Sequence, residues 1–210
     1  PQKLITPQKL ITPQKLITPQ KLITVMEIAI REVRQYGQKT VRIFHHNDAD
    51  GLSSGAILSR AFEREGFDVL RFCLEKPYPA VLKKVFEQQG QLLVFADFAG
   101  RIGPLISDFN KGRNLTMILD HHVAESSTDP MVYNLDPDLF GLKGDRDISA
   151  STTCYLFAQT LNPANRDMAH MAVIGAVGDG FMVDGRLVSQ NRDAVMEAMN
   201  QGKLHIVEKP

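Results

Sequence analysis

The chain has 210 residues, 43% of them hydrophobic, with 24 basic and 24 acidic side chains and a formal net charge of zero. Four lysines and no acid fall in the first 24 residues, so residues 25–210 carry 20 basic against 24 acidic groups, a net of −4. This excludes a general nucleic-acid coat, which needs a basic face, and leaves any phosphate-rich substrate to a local patch or to bound cations.

Residues 1–24 are four copies of Pro-Gln-Lys-Leu-Ile-Thr. A proline every sixth residue bars a helix, and so short a repeat buries little, so residues 1–25 are expected to be a disordered tail. Met26 is the first methionine, and the functional protein is expected to start near it. Met26–Tyr36 has helical spacing and stops at Gly37. Val41–Phe44 reads as a strand, Ser53–Glu65 as a helix ended by Gly66, and Asp68–Cys73 as a strand. Pro79–Gln89 is a helix with proline in its first turn, Leu92–Ala96 a strand, Ile102–Asn110 a helix, Leu115–Leu119 a strand and Met131–Asn134 a short strand. Ser151–Leu161, Ala164–Val177 and Asn191–Gln201 are helical. Continuously apolar strands separated by helices predict an α/β fold, doubly wound, with a mainly parallel sheet covered on both faces.

No stretch approaches the roughly 20 apolar residues that span a bilayer, and the start lacks the order of a secretory signal. Cys73 and Cys154 have no Cys-x-x-Cys partner. Both read as reduced core residues of a cytoplasmic protein without a membrane partner.

In doubly wound sheets, ligands bind beyond the carboxyl ends of the strands. The polar clusters of this chain fall there. His46, Asp48 and Asp50 follow the first strand, Asp97 the third, and Asp120-His121-His122 the fourth, while Asp179 ends an apolar helix within Gly175-Ala176-Val177-Gly178-Asp179-Gly180. Asp97 alone would serve as a helix N-cap, and Asp48-Ala49-Asp50-Gly51 has the look of a calcium loop. The calcium reading fails because Ser59 stands where the bidentate glutamate belongs. Together His46, Asp48, Asp50, Asp97, His121 and Asp179 form a carboxylate and imidazole set that suits two divalent ions bridged by an aspartate, roughly 3.5 to 4 Å apart. Without thiolates, that set favours Mn²⁺, with Mg²⁺ or Co²⁺ as substitutes.

The ordered motifs His46-Asn47-Asp48-Ala49-Asp50-Gly51, Asp97, Asp120-His121-His122 and Gly175-Ala176-Val177-Gly178-Asp179-Gly180 resemble those of the DHH phosphoesterases. That superfamily includes RecJ-like single-strand exonucleases, small-nucleotide phosphatases and family II pyrophosphatases. The resemblance covers about residues 38–200 and implies a DHH catalytic domain within residues 26–210. It also implies that Asp48 and Asp97 bind one ion and that Asp50, Asp97, His121 and Asp179 bind the other. His46 is a further ligand position, and Asp97 bridges. His122 would contact the scissile phosphate or supply a proton, with Asp120 orienting the imidazoles. Ser53, Ser54 and Gly55 are expected to open a helix whose free N–H groups hold a phosphate; their alternative is an ordinary helix start.

The implied activity is hydrolysis of phosphodiester or phosphomonoester bonds in nucleotides or single-stranded nucleic acid, of the RecJ-like exonuclease type. The substrate-gripping C-terminal domain of such relatives is absent from these residues, so another domain or a partner chain is expected to complete the cleft. The alternatives are a small-nucleotide phosphatase or pyrophosphatase, or a non-catalytic DHH binding module of a replication or repair complex.

Overall fold

The computed structural model describes residues 20–205 and 207. Its elements run α1 (Gln20–Gln35), β1 (Thr40–His46), α2 (Ala49–Arg64), β2 (Asp68–Leu74), α3 (Pro79–Val85), β3 (Leu92–Ala96) and α4 (Gly103–Asn110). They continue with β4 (Leu115–Leu119), β5 (Val132–Asn134), α5 (Ala150–Leu161), α6 (Ala169–Gly178) and α7 (Ser189–Asn200), with short 3₁₀ turns between some of them. The five strands form one sheet in the order β2-β1-β3-β4-β5, every neighbouring pair parallel.

Alternation along each strand explains why the sheet needs cover on both sides. Val41, Ile43, Leu92, Val94, Leu115 and Met117 point into a core shared with α1, α2 and α5, while Phe44, Leu93, Phe95 and Ile118 point into a second core with Leu82 of α3 and Ile106 of α4. All five residues of β3 and of β4 are buried, which is why those segments read as unbroken apolar runs. Edge strand β2 alternates between intermediate and exposed positions instead.

Four elements differ from their expected limits by four or more residues at one end, the others by no more than two. Helix α1 begins at Gln20, so the last residues of the fourth repeat are helical rather than disordered; residues 1–19 lie outside the described residues. Leu22 is fully buried together with Met26, Ala29, Ile30 and Val33. The apolar stripe thus extends one turn upstream, and burying it outweighs the repeat's weak local preference. Helix α2 begins at Ala49, four residues before Ser53, because the Asp48 carboxylate caps it by accepting the Gly51 N–H at 2.9 Å. Helix α3 ends at Val85, short of Gln89. The stretch expected as one helix from Ala164 divides into a 3₁₀ turn over Pro163–Met168 and α6.

A strand order of 2-1-3-4-5 reverses direction between β1 and β3, where the crevice outside the strand ends is open to a ligand. The carboxyl ends of β1, β3 and β4 lie side by side at that point. No helix among the described residues is long and apolar enough to cross a membrane.

Candidate metal centre

Each strand end contributes through its own local geometry. Past β1, the Asp48 carboxylate is shared: one oxygen caps α2 and the other lies 2.7 Å from His46 Nδ1. His45 turns the opposite way and packs its ring against Gly55 of α2, so it is a buried neighbour outside the donor set.

Asp50 occupies the first turn of α2 and is fully buried. Its two oxygens accept the N–H groups of Ala150 and Ser151 at 2.7 and 3.0 Å. These amides open α5, whose N-terminus favours a negative charge. Helix α6 must pass directly over this carboxylate, and Gly175 permits it: a Cβ there would strike Ser151 Oγ and lie 2.5 Å from Asp50 Oδ1.

Past β3, Asp97 takes a left-handed backbone conformation, φ 63°, which aspartate tolerates better than most residues. Its N–H is held by the Leu119 carbonyl at 2.9 Å. The turn places its carboxylate between two groups of donors. One oxygen lies 3.4 Å from His46 Nδ1, and the other lies 3.5 Å from His121 Nε2.

Past β4, Asp120 is buried and accepts three N–H groups: Gly100 N at 2.8 Å, His121 N at 2.8 Å and His122 Nδ1 at 2.7 Å. His121 donates from Nδ1 to the Gly144 carbonyl at 2.6 Å. That bond aims Nε2 at Asp97 and, 3.4 Å away, at Asp179 Oδ2 at the end of α6. His122 projects outward, with 59% of its side chain exposed.

The potential ligand atoms fall into three groups, the atoms within each lying within 4.8 Å of one another: His46, Asp48 and Asp97; Asp50, His121 and Asp179; and Asp97, Asp120, His121 and His122. Asp97 and His121 belong to two groups each. Buried Asp97 Oδ2 and His121 Nε2 have no hydrogen-bond partner among the described residues, a costly condition for polar atoms in a core. Divalent cations on the two sides of the Asp97 carboxylate would satisfy both atoms, and the donors on each side suit such ions.

The protonation equilibria show the same demand for positive charge. Burial, reinforced by the charges of Asp50 and Asp48, pushes the Asp97 carboxyl up to about 8. Burial would depress His121, but the Asp97 carboxylate, the Gly144 carbonyl and the Asp50 charge outweigh it and lift the imidazole to about 10. Burial likewise raises Asp50 and Asp179. Asp120 runs the other way: against the cost of burial, its bonds to His122 and to the Gly100 amide hold it below the usual carboxylate range. His122 is raised, chiefly by its bond to Asp120.

A pH dependence follows for the metal-free protein. Asp97 and His121 keep their protons to about 8 and about 10, each above its ordinary value. From about pH 6 to about pH 9 the folded state therefore binds more protons than the unfolded chain and loses stability as pH rises. Asp48 and Asp120 are held low, so their contribution is lost only on acidification, below this window. In EDTA, the melting temperature is expected to fall steadily across that range. A melting temperature that rises from about pH 6 to about pH 9 contradicts the charge assignment.

The structure brings His46, Asp48, Asp50, Asp97, His121 and Asp179 together, with Asp120 and His122 beside them. It does not bring Ser53, Ser54 and Gly55 into the role expected of them. They lie in the second turn of α2, where amides bond within the helix, and Ser54 and Gly55 are buried. The early cap at Asp48 is the cause. Two further residues shape the site, Asp136 and Gly144. Asp136 is fully buried, with Oδ2 unpartnered, beside Gly100 and near Asp120 Oδ2; burial and the Asp120 charge raise it to about 7. It follows the end of β5, so the strand-end rule that singled out Asp97 applied to it as well. Gly144, whose carbonyl fixes His121, carries no such signal.

Residues 40–176 match the DHH family, N-terminal domain. Asp179 lies three residues beyond that match and reaches the cluster through the end of α6. An uncharacterized protein of Methanocaldococcus jannaschii is 34% identical over 181 residues, covering 81% of this chain and 39% of that protein. Among solved structures, exonuclease RecJ bound to manganese superposes with a TM-score of 0.67 at 21% identity, covering 90% of this chain and 49% of that one. RecJ of Thermus thermophilus in complex with Mn²⁺ superposes at 0.63 and 22%, covering 90% and 28%. The chain thus spans less than half the length of each. At such identities the RecJ structures establish the fold, and the family match over more than half of the 210 residues establishes the lineage: the chain belongs to the DHH family and carries its N-terminal domain.

Proposed function

We propose that this chain is a metal-dependent phosphoesterase that hydrolyses phosphate esters of nucleotides or short single-stranded nucleic acid, as a RecJ-like exonuclease would. One observation carries the reading: the Asp97 carboxylate stands between two donor groups, His46 with Asp48 on one side and His121 with Asp50 and Asp179 on the other. A carboxylate so placed would be able to serve two divalent ions, one held by each donor group. RecJ structures with manganese and with Mg²⁺ support a divalent ion of this kind, and the mixed carboxylate and imidazole donors favour Mn²⁺, with Mg²⁺ or Co²⁺ as substitutes.

Two divalent ions, when bound, supply Lewis acidity toward the attacking water and the phosphoryl oxygens. The chain's own residues do the rest. The α5 amides fix the direction of the Asp50 carboxylate. The Gly144 carbonyl selects the His121 tautomer whose Nε2 carries the lone pair. Asp120 holds His122 through Nδ1 and leaves its outer nitrogen free at the mouth of the cleft. Because Asp120 also raises its proton affinity, His122 is suited to donate a proton to the departing oxygen.

The expected result is that Mn²⁺ confers turnover of an activated phosphodiester such as bis(p-nitrophenyl) phosphate, that EDTA abolishes it, and that about two ions are retained per chain. Two retained ions with no turnover on diesters, monoesters or short oligonucleotides would mean a binding module instead.

A further inference from the structure

We propose that Asn191, in the first turn of α7, is a positioning residue of the metal centre: it holds in place the loop between Lys143 and Ser149, which aims both His121 and Asp50. The consequence for bound ions rests on the metal-dependent reading given above; the ordering of the loop does not.

The loop meets the centre at both of its ends. Near its start, the Gly144 carbonyl accepts from His121 Nδ1 at 2.6 Å, and a Cβ on Gly144 would collide with the His121 backbone. At its end, Ser149 caps α5, its Oγ accepting the Thr152 N–H at 3.2 Å. The next two amides, Ala150 and Ser151, carry the Asp50 carboxylate at 2.7 and 3.0 Å. His121 and Asp50 fall in one donor group with Asp179, so a single short stretch of chain orients two of its three members.

Within itself the loop is tied by Asp147, whose N–H donates to the Lys143 carbonyl at 2.7 Å and whose Oδ2 accepts the Lys143 N–H at 3.2 Å. Helix α7 fastens it from outside. The first N–H groups of a helix have no partner within it, and here those of Gln190 and Asn191 donate to the Asp147 carbonyl at 3.0 and 3.3 Å. Asn191 Oδ1 then accepts the Ser149 N–H at 3.0 Å. Asn191 therefore bonds the loop on both sides of Ile148, which is itself fully buried in the core.

Ser149 and Asn191 are both fully buried. Removing the Oδ1 acceptor would leave the Ser149 N–H unpaired away from water, at the amide whose neighbours hold Asp50. Packing does not account for an amide at this position, because Asn191 Nδ2 is buried without a partner among the described residues, a cost that an apolar side chain of the same size would avoid. The acceptor is what the asparagine adds.

The test compares Asn191→Leu, which keeps the size and loses the acceptor, with Asn191→Asp, which keeps an acceptor in a helix turn that tolerates negative charge. Hydrogen exchange is read by NMR on the metal-free chain in EDTA. In Asn191→Leu, the Ala150 and Ser151 amides are expected to exchange roughly tenfold faster or more, with Val94 and Phe95 of β3 within about twofold of wild type. Mn²⁺ affinity, measured by calorimetry, should fall by about 10- to 100-fold, the usual effect of losing a group that supports a ligand. Asn191→Asp should stay within about threefold of wild type in both measurements. Unchanged exchange at Ala150 and Ser151, an equal acceleration at Val94 and Phe95, or an Asn191→Asp chain as impaired as Asn191→Leu overturns the proposal. So does a wild-type Ser149 amide that exchanges as fast as an exposed one, a measurement that needs no variant to fold. If the wild-type chain binds no Mn²⁺, the metal-dependent reading falls, while the exchange rates still decide whether Asn191 orders the loop.

Discussion

Asp97→Asn is expected to be the most damaging single substitution for activity and among the mildest for folding. Asn accepts the left-handed backbone at φ 63° and fills the same volume, but it removes the charge that both donor groups share. Turnover with Mn²⁺ should fall by about 10³-fold or more, on the order of 4 kcal/mol of transition-state stabilisation. The metal-free protein should respond in the opposite sense. Above about pH 8 the wild-type Asp97 is ionised at a site where burial and the charges of Asp50 and Asp48 oppose it, so the neutral amide should melt higher in EDTA. Added Mn²⁺ should reverse that order, because only the wild type gains fully from binding. Near-normal turnover in Asp97→Asn would require the two-ion arrangement to be abandoned.

The two histidines should separate cleanly. His121 is 7% exposed and its Nε2 faces Asp97 and Asp179, so His121→Ala removes a donor and should lower metal retention along with activity. His122 is largely exposed and tied only through Nδ1 to Asp120, so His122→Ala should retain its metal and lose turnover by about 10² to 10⁴, the usual contribution of a positioned proton donor. Metal content by mass spectrometry, set beside turnover for the two variants, checks this. Equal metal loss in both would show that the inner and outer roles are misassigned.

Much of the frame was legible because it depends on short-range patterns. Strands β3 and β4 have the limits expected of them, since a run of five apolar residues closed by an aspartate marks a strand buried on both faces and ending at the cleft. The same rule located Asp97 and Asp120. Helix starts were less legible: α2 begins four residues early because the Asp48 side chain caps it, and α1 because Leu22 finds a place in the core. A cap or a buried stripe declares itself only when its partner surface exists.

The sequence by itself determined the α/β class, the ends of the inner strands and the kinds of groups gathered at them, because alternation and apolar runs act over a few residues. Only the tertiary structure decided how those groups meet. Asp50 is aimed by amides 100 and 101 residues away, at the start of α5. His121 is fixed by a carbonyl 23 residues on, and Asp136 is set beside Gly100 and near Asp120. These contacts join segments that no local propensity relates. They exist because packing both faces of one parallel sheet leaves a single place for the strand ends to converge.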